Sequence, residues 1–123
     1  MVNEKREIST EALLGNILEG IRKVKGKEII NIDLADLEHR VCSHFIICHG
    51  DSNIHVNAIA DSVDREVKEN AGRQLLHKEG QDNAQWVLLD FGSIVVHVFQ
   101  KEYREFYRLE ELWGDGKIEV LES

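Results

Sequence analysis

The sequence predicts a compact α/β domain in which a mixed β-sheet is flanked by helices, and three features carry that reading. Apolar residues recur every three or four positions in two segments, the pattern of helices with one buried stripe. Two near-continuous apolar runs, Trp86 to Phe91 and Ile94 to Phe99, are separated by Gly92-Ser93, the pattern of a buried hairpin. Alternation of helical and strand-like runs buries a sheet beneath helices and argues against an all-β barrel. At 123 residues and 42% apolar content, the chain has the length of one domain and enough apolar side chains for a core without staples.

The first helix is expected from about Thr10 to Lys25, with Leu14, Ile17, Leu18, Ile21 and Val24 on one side. Ser9 or Thr10 caps it, Glu11 favours its positive end and Gly26 ends it. In Ile29 to Leu34, the residues Ile30, Ile32 and Leu34 alternate with Asn31 and Asp33, which predicts a strand with one buried face and one partly wet. The stretch Ala35 to Ser43 is polar and irregular. Phe45 to Cys48 reads as a buried strand broken by His49-Gly50-Asp51-Ser52, and Asp51 or Ser52 caps a second helix running to about Asn70. Its stripe is Val56, Ile59, Ala60, Val63 and Val67, and Gly72 turns the chain. A short strand at Leu75 to His77 and a polar turn at Glu79 to Asn83 lead into the hairpin. Apolar character on both faces of the hairpin places it inside the sheet, with helices on either side. A third helix covers roughly Lys101 to Trp113, with Tyr103, Phe106, Leu109 and Trp113 packing on the sheet and Tyr107 and Leu112 widening its apolar surface. Gly114-Asp115-Gly116 ends it, and Lys117 to Ser123 is either a short edge strand or a frayed end.

With 23 acidic against 15 basic residues the formal charge is -8, which favours basic partners and disfavours non-specific nucleic-acid binding. Cys42 and Cys48 lack a CxxC spacing and are expected as buried thiols. No stretch has the composition of a secretory signal or a membrane span, so a cytoplasmic protein without a membrane partner is the expectation.

Enzymatic readings find little support. HGDSN at 49–53 could offer backbone donors to an anion, but a turn and a helix cap explain it, and it is neither a GxGxxG nor a Walker sequence. A metal-dependent nucleotidyl-transfer enzyme needs clustered carboxylates; Asp51 and Asp90 could approach one another, but no DxD pair is present. Asp90 is better explained by hydrogen bonds to the hairpin turn. His39, His44, His49 and His55 match no zinc motif, so neither metal nor cofactor is expected. The C-terminal aromatics are the better candidates, since Tyr and Trp join large apolar area to a polar group. For Trp86, Tyr107 and Trp113 the choice between core and interface stays open, whereas Phe106 is expected in the core. Such a surface also suits a homodimeric adaptor.

The run EGQDNAQWVLLDFGSIVVHVFQKEYREFYRLEELW at 79–113 resembles the ribosome-silencing factor, or Iojap-like, family, as do FIICHGDS, HVNAIADSV and KGKEIINIDL in order before it. The resemblance implies a fold distantly like nucleotidyltransferases without their catalytic carboxylates. It also implies a non-enzymatic protein that binds the large ribosomal subunit through ribosomal protein fourteen, blocks joining of the small subunit and lowers translation when nutrients are scarce. Direct contact with rRNA is expected to be minor. The family's motif positions fall on Trp86, Asp90, Gly92, His97, Phe99, Tyr107, Leu109 and Trp113, and the resemblance puts partner contact on Trp86, Phe99 and Tyr107, with polar neighbours orienting it. Cys42-Ser43-His44 departs from the family's Thr-Asp-aromatic pattern, and loss of that acidic residue leaves any cap, ion pair or partner contact there in doubt.

Overall fold

A computed structural model describes residues 9–34, 42–73, 75–114 and 116–122. Most of the irregular stretch expected at 35–43 therefore lies outside the described residues, as does His39.

Helix α1 spans Thr10–Lys23, its first turn closed by the Ser9 hydroxyl, which accepts from the Ala12 N–H at 3.0 Å. Helix α2 spans Asn53–Ala71; Ser52 accepts from the His55 N–H at 3.1 Å, and Gly72 ends the helix in the left-handed conformation. The helices lie together on one face of the sheet. Their crossing is tight at Gly20, where a Cβ would come within 2.7 Å of the Val63 Cα, and the Ser62 hydroxyl donates to the Gly20 carbonyl at 2.7 Å. Lys23 and Glu66 close the rim with a 2.7 Å ion pair.

The sheet comprises β1 (Lys27–Asp33), β2 (His44–Gly50), β3 (His77–Glu79), β4 (Trp86–Asp90), β5 (Ile94–Gln100) and β6 (Lys117–Glu122), in the order β3-β4-β5-β2-β1-β6. β2 and β5 pair in parallel, and the other neighbours are antiparallel. At the hairpin Phe91 N–H donates to the Ile94 carbonyl at 3.0 Å, and Gly92 takes a φ of 95°, a region that costs other residues a steric clash. Side-chain alternation divides the core in two. Ile46, Cys48, Val87, Leu89, Val96 and Val98 pack beneath α1 and α2, whereas Phe45, Ile47 and Phe99 face the other side with Ile30 and Ile32.

Several expectations change. The third helix is two, α3 (Lys101–Tyr107) and α4 (Leu109–Leu112), because Arg108 adopts a left-handed φ of 48° and ψ of 56° that no α-helix continues through. The break turns Phe106 to solvent, 75% exposed, while Leu109 stays buried. The hairpin lies inside the sheet as expected, but α1 and α2 both lie on one face, and among the described residues the other receives the α3–α4 elbow. Asn31 is buried, since β1 lies between β2 and β6, and its Oδ1 meets His44 Nδ1 at 3.0 Å. His49 and Gly50 belong to β2, and the short strand lies at His77–Glu79. Of the two readings of the tail, the strand holds: β6 pairs with β1 at the sheet's edge.

Candidate docking face

The face that α1 and α2 leave uncovered is built from alternate residues of three adjacent strands. β2 contributes Phe45, β4 contributes Trp86, Leu88 and Asp90, and β5 contributes Val95, His97 and Phe99. The elbow between α3 and α4 adds Tyr107, Leu109 and Trp113. The rings form one continuous chain. Trp113 meets Phe45 edge to face with centroids 5.3 Å apart, and Phe45 meets His97 at 4.7 Å. His97 lies 5.8 Å from Trp86, which stacks on Phe99 at 5.0 Å and touches Tyr107 at 4.8 Å. Phe106 closes on Tyr107 at 5.1 Å.

One hydrogen bond fixes the middle of this chain. The Trp86 indole N–H donates to His97 Nδ1 at 3.0 Å. An indole nitrogen only donates, so Nδ1 carries the lone pair and a neutral His97 carries its proton on Nε2. Burial pushes the imidazole down to about 4, which keeps it neutral. Nε2 is buried and has no hydrogen-bond partner among the described residues.

The expected contact residues therefore divide into surface and support. Tyr107 is 47% exposed, and Trp86 and Trp113 are half-buried. His97, Phe99 and Leu109 are buried beneath them, so they hold the face from below. Asp90 is half-buried and its Oδ1 accepts from the Gly92 N–H at 2.8 Å, the turn role expected of it. Beyond the expected set, Phe45 links Trp113 to His97 in the ring chain, and Phe106 and Leu112, each 75% exposed, extend the apolar surface at the elbow. In the sequence Phe45 to Cys48 reads only as a buried strand; period two puts Phe45 and Ile47 on one face, but which elements cover that face follows only from the tertiary packing. A groove of about 390 Å³ runs along the open side between Phe45, Leu76, Leu88, Asp90, Val95 and His97.

The other candidate sites resolve into structure. Asp51 and Asp90 lie at opposite ends of the sheet: Asp90 is in register with Val95 near the start of β5, whereas Asp51 follows Gly50, which pairs with Gln100 at its end. Strand rise over that span separates them by roughly 15–20 Å, too far to share a cation. Asp51 pairs with Lys27 at 3.1 Å, and this bond holds its carboxyl below the usual carboxylate range. His55 Nδ1 accepts from the Asp51 N–H at 2.9 Å while its Nε2 donates to the Val24 carbonyl at 2.7 Å. Among the described residues no three of His, Cys, Asp and Glu cluster to hold a metal. Cys42 and Cys48 are buried thiols, pushed up to about 11 and about 12 by desolvation. No helix among the described residues is long and apolar enough to cross a membrane.

The sequence matches the model of one protein family, RsfS, described as ribosomal silencing factor during starvation, over residues 7–123. A Bacillus subtilis ribosomal silencing factor is 42% identical over 98 residues, which cover 80% of this chain and 81% of that protein. A mouse protein named mitochondrial assembly of ribosomal large subunit protein 1 is 33% identical over 95 residues, covering 76% of this chain and 41% of its own. The crystal structure of a Chromobacterium violaceum protein superposes with a TM-score of 0.82 at 34% identity, covering 94% of this chain and 95% of that one.

Proposed function

The chain belongs to the RsfS family of ribosomal silencing factors, a non-enzymatic family that interacts with the large ribosomal subunit, and from that premise we propose how it silences. It docks on ribosomal protein fourteen of the large subunit with the aromatic face of Trp86, Tyr107 and Trp113, in the cytoplasm, and its bulk excludes the small subunit when nutrients are scarce. The observation that carries the reading is the ring chain from Trp113 to Phe106, laid over the sheet face opposite α1 and α2.

Half-exposed aromatics above a rigid apolar floor are what a binding hot spot requires: large area, few rotatable bonds and a polar atom. The sheet supplies the rigidity, and the Trp86–His97 bond fixes the indole before the partner arrives. The -8 charge sets the choice of partner, because an acidic surface is drawn to basic ribosomal proteins and repelled by the phosphates of rRNA. Contact with rRNA is accordingly minor. Steric exclusion needs no reaction step, only occupancy and volume. The distant likeness to nucleotidyltransferases is part of the same proposal, as an ancestry of the fold whose chemistry is gone: Asp51 and Asp90 stand at opposite ends of the sheet.

The test is a binding assay with isolated large subunits. The chain binds them, and Trp86→Glu, shown folded by circular dichroism, does not. Equal affinity of the two would remove Trp86 from the interface. A homodimer formed through the same aromatics is the second use of this face, and sedimentation across the working concentration range decides it. A dimer that dissociates as large subunits are added would mean that self-association and docking compete for one surface.

A further inference from the structure

On the far side of the elbow lies a polar cleft of about 340 Å³, lined by Glu28, His49, Lys101, Arg104, Glu105 and Glu110 together with the Arg108–Glu111 pair. Its floor is a fixed guanidinium. Arg104 is only 8% exposed, and its Nη1 donates to His49 Nδ1 at 2.9 Å and to the Lys27 carbonyl at 3.4 Å. Because arginine only donates, His49 is held as the neutral tautomer with its lone pair on Nδ1. Among the described residues no carboxylate oxygen lies within 4.0 Å of Arg104, so its remaining N–H groups keep their capacity for an oxyanion.

The opposite charge is equally unspent. The Oε1 of Glu110 is buried and has no hydrogen-bond partner among the described residues. Burying a carboxylate oxygen without a donor is costly, and a ligand that brings one recovers that cost. Backbone strain gathers here as well. Glu28 takes a φ of 50° where the pairing of β1 shifts register between Lys27 and Ile30, and Arg108 takes 48° at the elbow. Bulges and left-handed residues of this kind re-aim side chains and concentrate at binding sites.

Charge selects the ligand. Lys101, Arg104 and Arg108 stand against Glu28, Glu105, Glu110 and Glu111, three cations against four carboxylates, for a formal -1. A polyanion such as phosphate meets the four carboxylates, and a bare cation meets the fixed guanidinium. A group bearing one charge of each sign satisfies both, and the cleft lies at the small end of the volume range of ligand sites, roughly 300–1,000 Å³. We propose that this cleft binds a small zwitterion of α-amino-acid size, its carboxylate on the open edge of Arg104 and its ammonium on Glu110. The bound molecule sits against the elbow that carries Tyr107, since Arg108 and Glu111 also line the shallow hollow beside Phe106, Tyr107 and Leu112.

The test is a nuclear magnetic resonance titration of the full chain, labelled with nitrogen-15, against L-leucine, L-glutamate and L-arginine, with acetate and methylammonium as the single-charge controls. At least one amino acid shifts the amides of Glu28, His49, Arg104 and Glu110 saturably, and neither control does. Glu110→Gln, at a half-exposed position, weakens that response about tenfold, and Arg104→Lys, which keeps the charge and loses the fork, weakens it as well. The proposal is overturned by no saturable response, by equal shifts with acetate or methylammonium alone, or by an unchanged affinity in folded Glu110→Gln.

Discussion

Trp86 touches His97, Phe99 and Tyr107 at once while staying half-exposed, so a single side chain joins the buried floor of the docking face to its surface. Truncating such an anchor characteristically costs about 2 kcal/mol or more of binding. Trp86→Ala is expected to weaken large-subunit affinity by a factor on the order of 30 in an equilibrium sedimentation assay. His97 acts through Trp86, and its signature is a pH dependence. Its folded value of about 4 lies below the 6.5 of an unfolded histidine, so the fold favours the neutral ring. That stabilisation is fully present above 6.5 and is lost as the pH falls through 4, an effect on the order of 3 kcal/mol by linkage. Urea unfolding at neutral pH and near pH 4.5 should show His97→Phe losing less stability on acidification than the parent chain; parallel losses would separate His97 from the pH response. At neutral pH the same substitution strands the Trp86 N–H and costs about 1 to 3 kcal/mol. The sequence marked both residues through the family motif, but not the bond between them. Trp86 and His97 sit on different strands, and their pairing follows from register, which no local pattern states.

At the scale of elements, the elbow at Arg108 and the helix crossing at Gly20 shape the molecule most. Arg108 holds a left-handed backbone that glycine adopts without cost and β-branched residues resist. Thermal unfolding is expected to place Arg108→Gly within about 0.5 kcal/mol of the parent and Arg108→Val lower by about 1 to 2 kcal/mol. Equal stability of the two variants would show that the elbow is not held in that conformation. Gly20→Ala forces a Cβ onto the Val63 backbone and is expected to cost about 1 to 3 kcal/mol in the same measurement. The stripe of α2 was fully legible: Val56, Ile59, Ala60, Val63 and Val67 are all buried, because a long amphipathic helix repeats its signal over many turns. The helix over 101–113 was not, since Tyr103, Phe106, Leu109 and Trp113 keep helical spacing straight through the break. A left-handed arginine leaves no compositional mark, so Phe106 was expected inside and lies outside. The cleft around Arg104 was equally illegible, because Glu28, His49 and Arg104 meet only once three elements are folded together.

Among the described residues the molecule is a sheet covered by α1 and α2 on one face and carrying the aromatic chain and the α3–α4 elbow on the other, with a net charge of -8 over the sequence. Acidic charge speeds encounter with a basic protein and is screened over about 8 Å at physiological ionic strength. Association with the large subunit should therefore slow as salt is raised while dissociation changes less, a division that stopped-flow kinetics can read. The fold class and the order of elements were legible because apolar periodicity reports burial directly. The uneven cover of the two faces was not, since an apolar strand looks the same whether a helix or a partner covers it. The most direct measurement is the rate and extent of small-subunit joining to large subunits preincubated with the chain. Joining should fall in proportion to the occupied fraction and should recover when folded Trp86→Glu replaces the parent chain. Normal joining at saturating occupancy, or inhibition by Trp86→Glu equal to that of the parent, would contradict it.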